Sequence, residues 1–144
     1  MELELKYLAP YLPYGLKIKI LNYKCDYVGI EYSEAEGFYL IGNEFFITYK
    51  GGSTGKSIND FKPILRPLSD FNDFRIGTGE LLSEHIYKET GIHLDAECDI
   101  CTHRERYLGL DNSLRAFNFL HQYHFDLFCL IPAGLAIDIN TLNQ

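Results

Sequence analysis

Cys98-Asp99-Ile100-Cys101 places two thiols three residues apart, a spacing that can grip zinc once both are thiolates. His121 and His124 follow at helical spacing, so a tetrahedral Cys₂His₂ site would draw on Cys98, Cys101, His121 and His124. One CxxC with distant histidines is a weak pattern, because small cysteines and helix histidines serve equally well as packing. A thioredoxin-like redox pair would need its first cysteine at a helix N-terminus after a strand. The flanking acids Glu97 and Asp99 also oppose thiolate formation. Zinc is therefore the only cofactor the sequence suggests.

His121, His124 and Asp126, with Ser113 or Ser83, supply the residue types of a hydrolase, but no nucleophile elbow frames either serine. Histidines spaced among Phe and Leu are more often structural. Gly51-Gly52-Ser53-Thr54-Gly55-Lys56-Ser57 resembles a phosphate loop until its spacing is counted. The position that must be the first glycine is Lys50, and Pro63 follows too soon for the helix whose N-terminal amides would hold phosphate. No enzyme activity is expected.

Charge gives a different kind of candidate. The chain carries 13 basic and 20 acidic side chains, a net charge of −7, which disfavours attraction to nucleic acid or anionic lipid. From Arg66 onward the balance is six basic against twelve acidic. From Glu80 to Asp99, Glu80, Glu84, Glu89, Asp95, Glu97 and Asp99 face only Lys88, which makes either a solvated face or a surface for a basic partner. His103, Arg104, Arg106 and Tyr107 form the one dense basic cluster, with an aromatic ring able to stack on an RNA base. Glu105 offsets part of that charge, so stable nucleic-acid binding by the chain alone is not expected.

The elements that must position these residues belong to an ordinary globular chain. Its 144 residues, 47% hydrophobic and 23% charged, suit one domain over 1–144 that buries about 70% of its extended surface. Four unevenly spaced cysteines do not make a secreted disulfide frame. The apolar run Leu127 to Ile137 is too short and too interrupted by Pro132 and Gly134 to cross a bilayer. Acids near the start lack the basic flank of a secretory signal, so a cytoplasmic location is expected.

Ala9 to Gly15, with two prolines, reads as a stiff lead-in. Leu16 to Tyr23, Tyr27 to Tyr32, Phe38 to Ile41 and Glu44 to Tyr49 alternate as strands. Ser33 to Gly37 and Gly42-Asn43 read as the intervening turns. Pro63 and Pro67 keep the segment from Asn59 out of a long helix. Apolar spacing predicts a helix from Thr78 to Thr90 stopped by Gly91, and a second from Asp111 or Ser113 that ends no later than Pro132. The expected fold is α+β: a small N-terminal antiparallel sheet of about four strands (1–65 mainly β) packed with C-terminal helices (66–144 mainly α).

Three stretches carry a resemblance: Tyr11-Leu12-Pro13-Tyr14-Gly15-Leu16-Lys17, Lys62 through Asp70, and His124-Phe125-Asp126-Leu127 continuing through Gly134 to Asn140. Together, about a quarter of the chain, they resemble small uncharacterised proteins encoded by phages and mobile elements of the Bacteroidota. These phrases are apolar and proline-bounded, so they look like scaffold. The resemblance implies an accessory protein that binds and disables host machinery, such as an inhibitor of a CRISPR effector, without catalysis. Its partner would be a host protein or nucleoprotein complex, not a membrane. The acidic residues Glu80, Glu84, Glu89, Asp95, Glu97 and Asp99 would meet basic protein surface, and His103, Arg104, Arg106 and Tyr107 the bound RNA. A zinc-stabilised module and a phage structural or packaging component are the alternatives.

Overall fold

A computed structural model describes residues 2–25, 29–52, 55–94 and 111–143. Strands run Lys17–Ile20 (β1), Tyr32–Ile41 (β2), Glu44–Tyr49 (β3), Lys56–Ser57 (β4), Phe61–Leu65 (β5) and Ile137–Asp138 (β6). Helices run Leu5–Leu8 (α1), Leu82–Thr90 (α2) and Asp111–Gln122 (α3). The strands form one sheet in the order β4-β3-β2-β1-β5-β6, antiparallel except for the parallel pair β5·β6. The fold is thus α+β, with a larger and mixed sheet where about four antiparallel strands were expected.

The differences have local causes. Ser33 to Gly37 is no turn: it lies inside β2, where the register shifts between Ala35 and Gly37. Glu36 is the extra residue of this bulge, so Ser33 and Ala35 share the side of Phe38 and Leu40, and strict alternation is broken. The strand expected over Leu16 to Tyr23 stops at Ile20, and Tyr23–Cys25 is a 3₁₀ turn. Pro63 does not prevent a strand. Leu21 N–H donates to Asp60 O, so the even residues of β5 face β1, and Pro63 points its nitrogen toward the other edge.

The lead-in folds as a 3₁₀ helix, Ala9–Tyr14, which leaves the sheet edge at Gly15 with φ +69°. A Cβ at Gly15 would come within 2.9 Å of a Glu34 carboxylate oxygen, the end of a flexible side chain that can move aside, so it is the positive φ that calls for glycine here. The first long helix begins at Leu82 rather than Thr78, because Gly79 N–H turns back to Ile76 O and Arg75 bridges Leu81. Gly91, with φ +73°, ends it as expected, its N–H donating to Tyr87 O. The second ends at Gln122, well before Pro132. There the chain turns through His124, at φ +62°, so that Arg66 N–H reaches His124 O and Asp126 N–H reaches Arg66 O.

Two apolar clusters hold the fold. The sheet's inner face (Leu16, Ile18, Ile20, Ala35, Ile47, Phe61 and Leu65) packs under Leu8 and Tyr11. The helices close a second cluster around Leu82, Ile86, Phe117, Leu120, Phe125 and Leu127. Phe128 packs against both. Tyr11 pins the junction: its buried hydroxyl donates to Phe125 O at 2.6 Å and accepts from Leu127 N–H at 3.2 Å.

Candidate functional site

The acidic candidates that the structure describes lie on and just before α2. Leu82, Ile86 and Thr90 turn one face of this helix into the second cluster, and Thr90 ties its hydroxyl to Ile86 O. The helical period therefore sends Glu84, Tyr87, Lys88 and Glu89 outward, and all four are exposed. Tyr87 is 49% exposed, with its ring tilted against His93 at 4.5 Å between centroids. Beside it opens a groove of about 390 Å³, where Asn72, Ser83, Glu84, Lys88 and Leu94 also line the wall.

The three acids are not equivalent. Glu80 is the least exposed of them and is held by Lys88 at 2.8 Å and by His85 at 3.5 Å. The bond from Lys88 is the main reason its carboxyl is held below the usual carboxylate range. Glu89 stands 3.9 Å from Arg115, a loose pair, and Glu84 takes part in no ion pair among the described residues. The unpaired carboxylate beside Tyr87 is thus that of Glu84, one helical turn away, while Glu89 lies on the other flank of the helix toward Arg115. Asp95, Glu97 and Asp99 lie outside the described residues, as do His103, Arg104, Arg106 and Tyr107.

The histidines expected to share a helix face do not. His121 ends α3 in the interior, where Tyr11 meets its ring edge-on at 5.0 Å and Phe128 stacks nearly parallel at 6.2 Å. Neither ring nitrogen has a hydrogen-bond partner among the described residues, and burial pushes the imidazole pKa down to about 4. His124 lies beyond the helix and places Nε2 2.8 Å from Tyr14 O. Its pKa is lowered too, chiefly by burial, with the bond to Tyr14 opposing. Cys98 and Cys101, the sulfur half of the zinc expectation, fall outside the described residues. Among the described residues, no three His, Cys, Asp or Glu side chains gather as metal ligands.

The hydrolase grouping is not assembled by these residues either. Asp126 is buried and accepts Leu130 N–H and Ile131 N–H, one on each carboxylate oxygen, both at 2.8 Å. It closes the turn after α3, and His121 makes no hydrogen bond to it. Burial raises its pKa, while these amides and that of Phe128 pull it back.

Sequence reading missed two features. Arg66 at the end of β5 lies over Phe74 (4.5 Å) and Phe125 (6.0 Å) and reaches Asp70 at 3.8 Å, while Asp70 accepts from Asn140. The i,i+4 pair Arg66–Asp70 was legible, but not the rings beneath it. The second feature is the tip of the β2–β3 hairpin, where Phe38, Leu40 and Ile41 are 51%, 55% and 61% exposed. Alternation foretold the strands there, though not that their apolar side would be left uncovered.

No family model, curated protein or solved structure matches this chain. Among the described residues, no helix is long and apolar enough to cross a membrane.

Proposed function

We propose that this chain works by docking on another protein, as a phage or mobile-element accessory protein that inhibits or modulates a host defence nucleoprotein such as a CRISPR effector. The observation that carries the docking reading is the outer face of α2. Tyr87, a residue type favoured at the centre of interfaces, stands half exposed one helical turn from the carboxylate of Glu84, at the groove they line together, while Glu89 adds negative charge on the helix's other flank. A basic protein surface would gain steering from the net charge of −7 and find an aromatic anchor at its centre. In this reading Asp95, Glu97 and Asp99 extend the acidic surface, and His103, Arg104, Arg106 and Tyr107 touch the partner's RNA. The choice of a defence nucleoprotein comes from the sequence resemblance alone.

Affinity capture of tagged protein from host lysate tests the reading, with the bound protein and RNA identified by mass spectrometry and sequencing. One nucleoprotein should be recovered at near-equal stoichiometry. Tyr87→Ala should weaken its binding about 30-fold, as expected for an anchoring tyrosine. Glu84→Lys with Glu89→Lys should weaken it further at low salt. Recovery that both variants leave unchanged overturns the α2 surface. Stoichiometric zinc lost on Cys101→Ser, or a regular oligomer with no host partner, would replace docking with a metal-stabilised module or a packaging component.

A further inference from the structure

We infer that the free edge of β2 is a second docking site, which takes an extended segment of a partner protein as an added strand, with apolar side chains alternating with Lys or Arg. Strand lengths leave this edge bare. β1 spans four residues and pairs β2 only at Tyr32, Ser33 and Glu34, with a last backbone bond from Ala35 N–H to Leu16 O. The chain then leaves the sheet at Gly15, while β2 runs on to Ile41.

Hydrogen-bond directions show which groups are open. Lys50 N–H donates to Glu34 O, and Ile58 N–H donates to Phe45 O, so even residues of β3 face β2 and odd ones face β4. Gly37, Tyr39 and Ile41 pair with Thr48, Phe46 and Glu44 and therefore face β3. Phe38 and Leu40 point their N–H and C=O groups the other way, and no further backbone bond reaches them among the described residues. Two donors and two acceptors at strand spacing, beside half-exposed apolar side chains, are what strand addition uses.

The chain itself shows what fits. β1 occupies the same edge of β2 one step earlier, and it alternates lysine with isoleucine. Ile18 and Ile20 enter the core, whereas Lys19 lies on the outer face, 5.8 Å from the centre of the Tyr32 ring and 3.6 Å from Glu31. An incoming strand in line with β1 would set apolar side chains beside Phe38 and Leu40. Between them, one basic side chain would lie on the outer face beside Tyr39, which stacks on Phe46. Glu36 is exposed and takes part in no ion pair among the described residues, whereas Glu44 on β3 accepts a hydrogen bond from Ser57 of β4, on the side away from this edge. Glu36 favours a basic strand, and the net charge of −7 disfavours a second copy of this chain.

The probe is a capped, fluorescently labelled heptapeptide of alternating lysine and isoleucine, with the glutamate–isoleucine counterpart as control. The lysine peptide should bind, raise anisotropy, and slow hydrogen exchange at the Phe38 and Leu40 amides, while the glutamate peptide should not. Leu40→Pro removes one outward N–H without touching the bonds to β3 and should weaken binding about tenfold. Leu40→Ala keeps that N–H and should weaken it less. If Leu40→Pro does not fold, Glu36→Lys carries the test by weakening binding at low salt. Glu84→Lys with Glu89→Lys should leave peptide binding unchanged, which separates this site from the α2 surface. Equal binding of the two peptides, unaltered exchange at Phe38 and Leu40, or full affinity in Leu40→Pro overturns the inference. So does a dimer in sedimentation that Leu40→Pro dissolves, because the occupant would then be a second copy.

Discussion

Replacing His121 by leucine should remove a pH dependence of stability that the wild-type chain shows between pH 8 and pH 5. The ring lies between Tyr11 and Phe128 with both nitrogens unpartnered, so the folded chain holds it neutral. Burial lowers its pKa from 6.5 to about 4. A depressed folded-state value means that the unfolded chain binds the proton more readily. The stability tied to the neutral ring is therefore complete above 6.5 and is lost as the pH falls toward 4. Those two values give a loss of about 2 kcal/mol between pH 8 and pH 5, and about 3 kcal/mol once the pH is below both. His124 shifts in the same direction, and Asp126 in the opposite one near the carboxylate range; both are present in wild type and variant and cancel in the difference. Urea unfolding followed by circular dichroism at each pH reads that difference. At pH 8, leucine should be neutral or mildly stabilising, because it removes two buried polar atoms that bond to nothing. If the gap between His121→Leu and wild type stays constant from pH 8 to pH 5, the ring is hydrated or hydrogen-bonded in solution, and the reasoning fails.

Other substitutions test the scaffold. Tyr11→Phe should cost about 0.5–1.5 kcal/mol in urea unfolding, since it removes the two buried bonds of the hydroxyl while Leu127 N–H and Phe125 O keep their bond to each other at 3.0 Å. Asp126→Ala strands the amides of Leu130 and Ile131 and should cost about 2–4 kcal/mol, whereas Asp126→Asn should retain part of that loss. Gly15→Ala should lower the thermal midpoint, with a cost of about 1–2 kcal/mol from the left-handed φ of +69°. Cys129 is exposed with φ +56°, and Cys129→Gly should be neutral or raise stability by up to about 1 kcal/mol.

Alternation and glycine chemistry were legible where one face of an element is buried and its ends are marked. The hairpin over Gly42-Asn43 and the stop at Gly91 follow from such local signals. The bulge at Glu36 was not legible, because one extra residue in β2 is excused only by its partner β3, which sequence order does not display. Strand β5 was hidden for a similar reason: Pro63 forbids a ladder bond on one edge only, and which edge faces β1 is a tertiary fact. The two histidines spaced by three were read on one helix, yet α3 ends between them so that the backbone of Arg66 can bridge to that of Phe125. Of the candidate site, the acids of α2 were legible as exposed helical positions. The division of Glu80 from Glu84 depends on where Lys88 reaches.

The bare edge of β2 follows from a mismatch of lengths rather than from any single residue. A ten-residue strand cannot be covered by a four-residue neighbour, and Gly15 fixes where that neighbour ends. Lengthening β1 backward would need Gly15 and Tyr14 in extended conformation. That would pull Tyr14 O away from His124 and Tyr11 out of the junction where its hydroxyl joins the two clusters. Covering the edge from within would therefore dismantle the contact that holds the sheet to the helices. The large apolar side chains at the hairpin tip are half exposed, and completing the burial of each would contribute about 1–1.5 kcal/mol. A fold that keeps its junction at this cost leaves Phe38 and Leu40 to be covered by another chain, and Glu36 beside them sets the sign of the partner's charge.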